Sequence, residues 1–256
     1  MKATAIYFSP TGNTKKTAEA MAAAVDPAYE RMDLTLPAEN DGLIEERKRI
    51  FGKEELVILG MPVYGGRIPP LAVERLTGLK GEGTPCVLVA CYGNRHYDDA
   101  LVEMEDIMKE KGFVVRAAAA VVGRHTYGAI QTDRPDAEDL EEDTSFMRNV
   151  LERIERNAPL PTLPGSRTYQ KESMKNGHFQ PSVAKGCIEC GRCRKECPAG
   201  AIDEQFQVDE KRCISCFRCV RNCPTGAMRM QTQEYEQFAE EFTRKLAARR
   251  ENEYFF

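Results

Sequence analysis

No apolar run in the 256 residues approaches the ~20 that a bilayer span requires, so no membrane span is expected. No Gly-Lys-Ser/Thr closes a glycine loop and no GxGxxG fingerprint occurs. A Walker nucleotide site and direct use of a dinucleotide are therefore unsupported. The opening residues, Met1-Lys2-Ala3-Thr4-Ala5-Ile6, do not read as a secretory leader, which argues against a disulfide-forming compartment. Basic residues form neither a long run nor an aromatic-interleaved patch, so nucleic acid is not an expected partner. What remains, at 42% hydrophobic and 30% charged residues, is the composition of a soluble globular chain of one or two domains.

Cysteine is plentiful by contrast, and eight of the ten fall between 187 and 223. They read Cys187-x-x-Cys190-x-x-Cys193-x-x-x-Cys197-Pro198 and then, repeated at a constant offset, Cys213-x-x-Cys216-x-x-Cys219-x-x-x-Cys223-Pro224. A [4Fe-4S] cubane needs four converging thiolates. The tight C-x-x-C-x-x-C loop supplies three, and the fourth arrives from a distant point. Each proline stops a helix from running on past its cysteine. Zinc is the simpler alternative, but zinc sites usually take two ligand pairs rather than triplets with a returning fourth.

The two blocks resemble the bacterial 2[4Fe-4S] ferredoxins over a stretch that includes a Gly-Ala after each proline (Gly200-Ala201 and Gly226-Ala227). The resemblance implies that the fourth ligand is exchanged between blocks. One cluster would use Cys187, Cys190, Cys193 and Cys223; the other would use Cys213, Cys216, Cys219 and Cys197.

Toward the N-terminus, Ala3–Phe8 suits a buried strand. Ser9-Pro10-Thr11-Gly12-Asn13-Thr14 follows, then an alanine-rich helical stretch over 14–25. Hydroxyls between a strand and a helix N-terminus make an anion seat, and Gly12 allows close approach. Further strands are expected at Tyr29–Thr35, Leu56–Gly60, Cys86–Cys91 and Phe113–Val122. One helix runs to about Lys111. Another from Asp136 carries the stripe Ala137, Leu140, Thr144, Met147, Leu151, Ile154 and Ala158. Strands alternating with helices give an α/β doubly wound parallel sheet of five strands, expected order 2-1-3-4-5. Cys86 and Cys91 read as core hydrophobes.

Over residues 1–157 the chain resembles the flavodoxins, on three loops at strand ends. The resemblance implies FMN, with its phosphate on Ser9, Thr11, Gly12, Asn13 and Thr14. The run Pro62-Val63-Tyr64-Gly65-Gly66 would lie on the isoalloxazine ring, with Tyr64 stacked. Tyr92, Gly93, Asn94, Tyr97 and Asp98 would form the second ring loop, Asp98 either meeting the pyrimidine edge or capping the next helix. His125 either faces the flavin or a substrate, or is a plain loop histidine. A loop shaped for one terminal phosphate favours FMN over FAD.

The expected organisation is a flavodoxin-like domain (1–157), a proline-stiffened linker (158–182), a small α+β ferredoxin domain (183–231), and a C-terminal helix and tail (232–256). In that last part Tyr235, Phe238, Phe242 and Leu246 recur at helical spacing, to cover the protein's own domains or to dock a partner. Residues 1–157 carry 20 basic and 27 acidic side chains, net −7; residues 183–231 carry 9 and 6, net +3 before any cluster charge. The whole chain resembles the flavodoxin–ferredoxin fusion proteins of anaerobic bacteria. The implied role is electron transfer between two [4Fe-4S] clusters and FMN, coupling a low-potential one-electron donor to a flavin-linked acceptor. The alternatives are an FMN-dependent reductase of a small organic substrate, with His125, Tyr127 and His96 available as proton donors, and a redox-sensing or interaction module. Expected partners are redox proteins or a small-molecule acceptor, in a reducing, oxygen-poor cytoplasm.

Overall fold

A computed structural model describes residues 1–37 and 48–256. The first part of the chain runs β1 (Lys2–Tyr7), α1 (Asn13–Val25), β2 (Glu30–Asp33), β3 (Arg49–Phe51), β4 (Glu55–Pro62), α2 (Pro70–Glu74) and β5 (Leu79–Gly81). It continues through β6 (Thr84–Tyr92), α3 (Ala100–Glu110), β7 (Phe113–Val122) and α4 (Ala137–Glu155). The remainder holds β8 (Ser182–Val183), α5 (Arg192–Lys195), α6 (Arg218–Arg221), β9 (Met228–Arg229), α7 (Gln233–Lys245) and β10 (Glu253–Phe255).

The main sheet has the order β10-β7-β6-β4-β1-β2. Its five parallel members, counted along the chain, are in the order 2-1-3-4-5, that of a flavodoxin-like doubly wound sheet. Alternation along the strands fills both faces. Ile6, Val57, Leu59, Leu88 and Ala90 enter one core, while Ala5, Tyr7, Ile58, Val87 and Val89 enter the other. The second core is sealed by α1 and by Phe146, Met147 and Val150 of α4. The alanines of α1 let that helix lie close to β1. A capping box begins α4, with Asp136 accepting from the Asp139 backbone N–H at 3.0 Å and Asp139 returning the bond at 2.9 Å.

The expected C-terminal helix is α7, but the tail beyond it is a sixth strand. β10 pairs antiparallel with β7, setting Glu253, Tyr254 and Phe255 opposite Ala120, Ala119 and Ala118. The open edge of β7 would otherwise present unpaired backbone groups, and the small alanines leave room for the added strand. Asn252 locks the approach. Its Oδ1 accepts from the Val122 N–H at 2.9 Å and its Nδ2 donates to Asp139 at 3.0 Å. Asp139 also binds the buried Arg134.

The linker lies along α3. Ser166 and Lys171 N–H groups donate to the Asp99 carboxylate at 2.9 and 3.2 Å, and Tyr169 stacks under the Arg67 guanidinium at 3.9 Å. In the cysteine-rich part the sequence repeat is also a backbone repeat. Glu189 and Ser215, Gly191 and Phe217, and Gly200 and Gly226 are three pairs of equivalent positions in the two blocks, and all six residues have positive φ. Short β8 and β9 pair to close this part.

Candidate cofactor sites at the carboxyl edge of the sheet

Three loops leave the carboxyl ends of β1, β4 and β6, the edge where open α/β sheets bind ligands. With the loop after β7 they enclose a polar hollow lined by Ser9, Pro10, Thr11, Asn13, Thr14, Pro62, Val63, Tyr64, Tyr92 and Gly93, among others. At its base stands the head of α1. Gly12 is the N-cap, at φ 93°, and offers no side-chain cap. The N–H groups of Thr11, Asn13 and Thr14 donate to no protein acceptor among the described residues, and the first turn holds no acidic residue. Ser9 Oγ accepts from the Lys15 N–H at 3.0 Å, leaving its own O–H to donate. Free N–H groups, neutral hydroxyls and the dipole of a helix of 13 residues suit a terminal phosphate.

Nine of the fifteen flavin-loop residues expected from sequence line this hollow: Ser9, Thr11, Asn13, Thr14, Pro62, Val63, Tyr64, Tyr92 and Gly93. Gly12 adjoins it, and a Cβ there would meet nothing within 4 Å. Gly65 lines a neighbouring hollow instead. Gly66, φ 96°, is a close-packing residue, since a Cβ would fall 2.4 Å from the Asp98 carboxylate.

Asn94, Tyr97 and Asp98 are set away from the hollow, each for a local reason. The Asn94 amide donates to the carbonyls of Leu246 and Ala248 at 2.8 and 2.7 Å, fastening the C-terminal segment. Tyr97 is buried against Tyr92 and Phe255, its hydroxyl donating to Glu253 at 2.9 Å. Asp98 pairs with Arg95. The helix after it is preceded by Asp99, which caps nothing with its side chain and instead receives the linker.

His125 belongs to the site. It lines both the first hollow and its neighbour, and a Cβ on Gly93 would fall 2.2 Å from its ring. His125 Nδ1 lies 2.9 Å from the Tyr127 N–H and 3.1 Å from the Tyr127 carbonyl, accepting from the first or donating to the second according to the tautomer. Burial, aided by Arg221 and Arg95 and opposed by the Tyr127 bond, pushes its pKa down to about 4, so the ring is neutral. Burial raises the Tyr64 phenol well above its ordinary value, with the nearby Cys216 thiol adding to the shift. His96 is exposed and stacks on Tyr97. Cys86 and Cys91 are buried as expected, though Cys91 also reaches the first hollow.

The other cysteines line two small hollows. Cys187, Cys190, Cys193 and Cys223 surround one; Cys197, Cys213, Cys216 and Cys219 surround the other. Each group takes three thiols from one block and one from the other block. Among the described residues no three His, Cys, Asp or Glu side chains gather tightly enough for a single metal ion. Backbone N–H groups of Ala201 and Met228 reach Cys197 Sγ and Cys223 Sγ at 3.3 and 3.4 Å, orienting the two returning sulfurs.

Sequence reading missed the bonds that dock the second cysteine block on the flavin-type loops. Arg218 Nη1 donates to the Pro10 carbonyl at 2.8 Å, and Arg221 Nη2 donates to the His125 carbonyl at 2.7 Å. Arg75 reaches the Pro198 carbonyl. Ile214 and Cys216 enter the same core as Ile6 and Leu59, with Tyr64 against it. Guanidinium-to-carbonyl bonds between segments so remote in the chain leave no local signal; the only hint is arginine recurring in the repeat.

Residues 205–228 match a family described as a 4Fe-4S binding domain. Among curated proteins, none matches the chain. Among solved structures, a flavodoxin from the domain Archaea is similar over 60% of this chain and 99% of its own, at 19% identity and TM-score 0.41. Oxidised flavodoxin 2 from Bacillus cereus is similar over 60% of this chain and 99% of its own, at 16% identity and TM-score 0.42. The strand order, rather than these likenesses, carries the fold. The chain is a flavodoxin-like α/β unit joined to a ferredoxin-like iron–sulfur segment. Among the described residues no helix is long and apolar enough to cross a membrane.

Proposed function

We propose that the chain is an electron-transfer iron–sulfur flavoprotein that holds FMN and two [4Fe-4S] clusters. It would couple a low-potential one-electron donor to a flavin-linked acceptor, in a reducing cytoplasm. The observation that carries this reading is the junction at Tyr64. One residue lines the flavin-type hollow and stands beside Cys216 of a four-thiol hollow. The division into residues 1–157, 158–182, 183–231 and 232–256 belongs to the same proposal.

Clusters pass single electrons and FMN takes one or two, so the pairing interconverts the two currencies. The residues do the rest. Thr11, Asn13 and Thr14 N–H groups, with the Ser9, Thr11 and Thr14 hydroxyls, would hold the phosphate. Tyr64, Tyr92 and Gly93 would border the ring. Cys187, Cys190, Cys193 and Cys223 would hold an outer cluster, while Cys197, Cys213, Cys216 and Cys219 would hold an inner one. Phe238 and Phe242 of α7 wall the space beside the ring and limit water there.

A second reading, reduction of a small organic substrate at the flavin, is favoured by one observation. The neighbouring hollow measures about 180 Å³ and is walled by Tyr64, Tyr127, Ile214, Phe238 and Phe242. A dry cavity of about 150 Å³ accepts benzene, so a single-ring compound fits this volume.

The test is anaerobic purification followed by an iron count, a spectrum and extraction of the flavin. Eight irons and one FMN per chain are expected from two four-iron clusters; FAD, or no flavin uptake on reconstitution, contradicts the reading. Replacing Thr11 and Thr14 with alanine is expected to weaken FMN retention, by roughly 1.5–3 kcal/mol for each lost bond to the charged phosphate.

A further inference from the structure

Arg221 is a half-buried cation with no carboxylate partner among the described residues. Its neighbours in the repeat are neutralised differently: Arg218 and Arg192 lean on Glu196, at 3.5 and 3.7 Å, and Arg194 pairs with Glu204 at 2.9 Å. The equivalent residue of the first block, Lys195, is exposed and needs only water. The guanidinium of Arg221 is held on the His125 carbonyl at 2.7 Å, beside Tyr64 and Cys216. Arg124, which lines the flavin-type hollow, is a second cation near it. A buried charge is costly unless an opposite charge meets it. Here the described residues provide no carboxylate, and the spaces on either side are those proposed for an anionic thiolate-bound cluster and for a flavin that gains negative charge on reduction.

We propose that Arg221 supplies the positive potential that makes the inner cluster and the flavin easier to reduce, directing electrons inward from the outer cluster. This rests on the proposed function. Two effects compete at the inner site. Its cysteines are the more buried set, and burial alone disfavours the extra negative charge of reduction, which would stop electrons at the outer cluster. A fixed cation at close range opposes that in a medium where charges are weakly screened. Arg221 is a positioning residue in this scheme and transfers nothing itself.

The experiment is a redox titration of the intact, anaerobically purified protein, with iron and flavin counted in every sample. The Cys187→Ser protein identifies which cluster signal belongs to the outer site. Arg221→Gln is expected to lower the reduced-to-oxidised ratio of the inner cluster at least tenfold at the wild-type midpoint. That is about 59 mV for a one-electron couple. The flavin midpoint is expected to fall in the same direction, and the outer cluster to stay unchanged. Arg221→Lys keeps the charge and is expected to remain near wild type. Lys195→Gln, the equivalent change in the outer block, is expected to move neither the inner cluster nor the flavin. The proposal is overturned if Arg221→Gln shifts no potential or both clusters equally, or if Arg221→Lys falls as far as Arg221→Gln. Should Arg221→Gln lose iron, the Lys variant alone decides, since a fall there means that the hydrogen bond rather than the charge matters. A wild-type protein lacking FMN or one cluster would instead refute the underlying function, and the iron and flavin counts separate the two outcomes.

Discussion

The two cysteine blocks share spacing, prolines and left-handed turns, yet they face opposite surroundings. Ile188 is 64% exposed, whereas Ile214, its equivalent in the second block, is 8% exposed and enters the sheet's core. Cys190 is exposed and Cys216 is 7% exposed. Gly191 takes its left-handed turn freely, but the matching position is Phe217, which holds φ 57° against the steric cost of a side chain. Its ring is in return packed on Tyr127 and Tyr235. One chemical motif has thus been specialised by its neighbours, with one copy turned to solvent and one built into the junction.

The comparison breaks most visibly at the returning cysteines. Cys197→Ser is expected to abolish or convert the inner cluster and leave the outer one, and Cys223→Ser the reverse, as read by iron content and low-temperature EPR. Loss at the Cys187 group in the Cys197→Ser protein would show that the fourth ligands are not exchanged.

Stability should split the blocks next. Ile214→Ala is expected to cost about 2–4 kcal/mol in denaturant unfolding, as for other buried branched residues, while Ile188→Ala should change it by less than about 0.5 kcal/mol. Equal costs would mean that the inner block is not part of the core. Phe217→Gly sharpens the point, because it relieves roughly 1–2 kcal/mol of backbone strain and removes a buried ring worth more. A net loss of about 2 kcal/mol is expected, and a gain would mean that the ring contributes little.

A smaller effect should leave both blocks untouched. Asp143 lies under β10, with one carboxylate oxygen accepting from the Tyr254 hydroxyl at 3.0 Å and the other without a partner. Burial pushes its pKa up to about 7, against the pull of Tyr254. A raised acid stabilises the fold below its unfolded pKa of ~3.9 and loses that contribution as pH rises through about 7. Asp143→Asn should therefore gain on the wild type between about pH 4 and pH 8, on the order of 4 kcal/mol, with cluster spectra unchanged. A pH-independent difference would show that Asp143 is not titrating there.

The four longer parallel strands were legible because each is an apolar run between turn residues; Phe113–Val122 matches its expected bounds. That the loop after β1 and Tyr64 border one hollow was legible because motif and position at a strand end coincide. β10 was not, since so short a strand carries no readable alternation and its partners, Ala118 to Ala120, are remote in the chain. The bonds of Asn94 and Tyr97 to a backbone carbonyl and a carboxylate of the far C-terminus were not legible for a related reason, since a polar residue in a strand-end loop looks the same whatever it bonds.

The central claim is that electrons cross from the inner block to the flavin inside one molecule. Anaerobic rapid mixing with a one-electron donor, following cluster bleaching and flavin reduction at several protein concentrations, tests it most directly. The account predicts a flavin reduction rate that is independent of protein concentration and is lost in the Cys216→Ser protein. A rate rising in proportion to protein concentration would contradict it, because the two units would then exchange electrons only by collision between molecules.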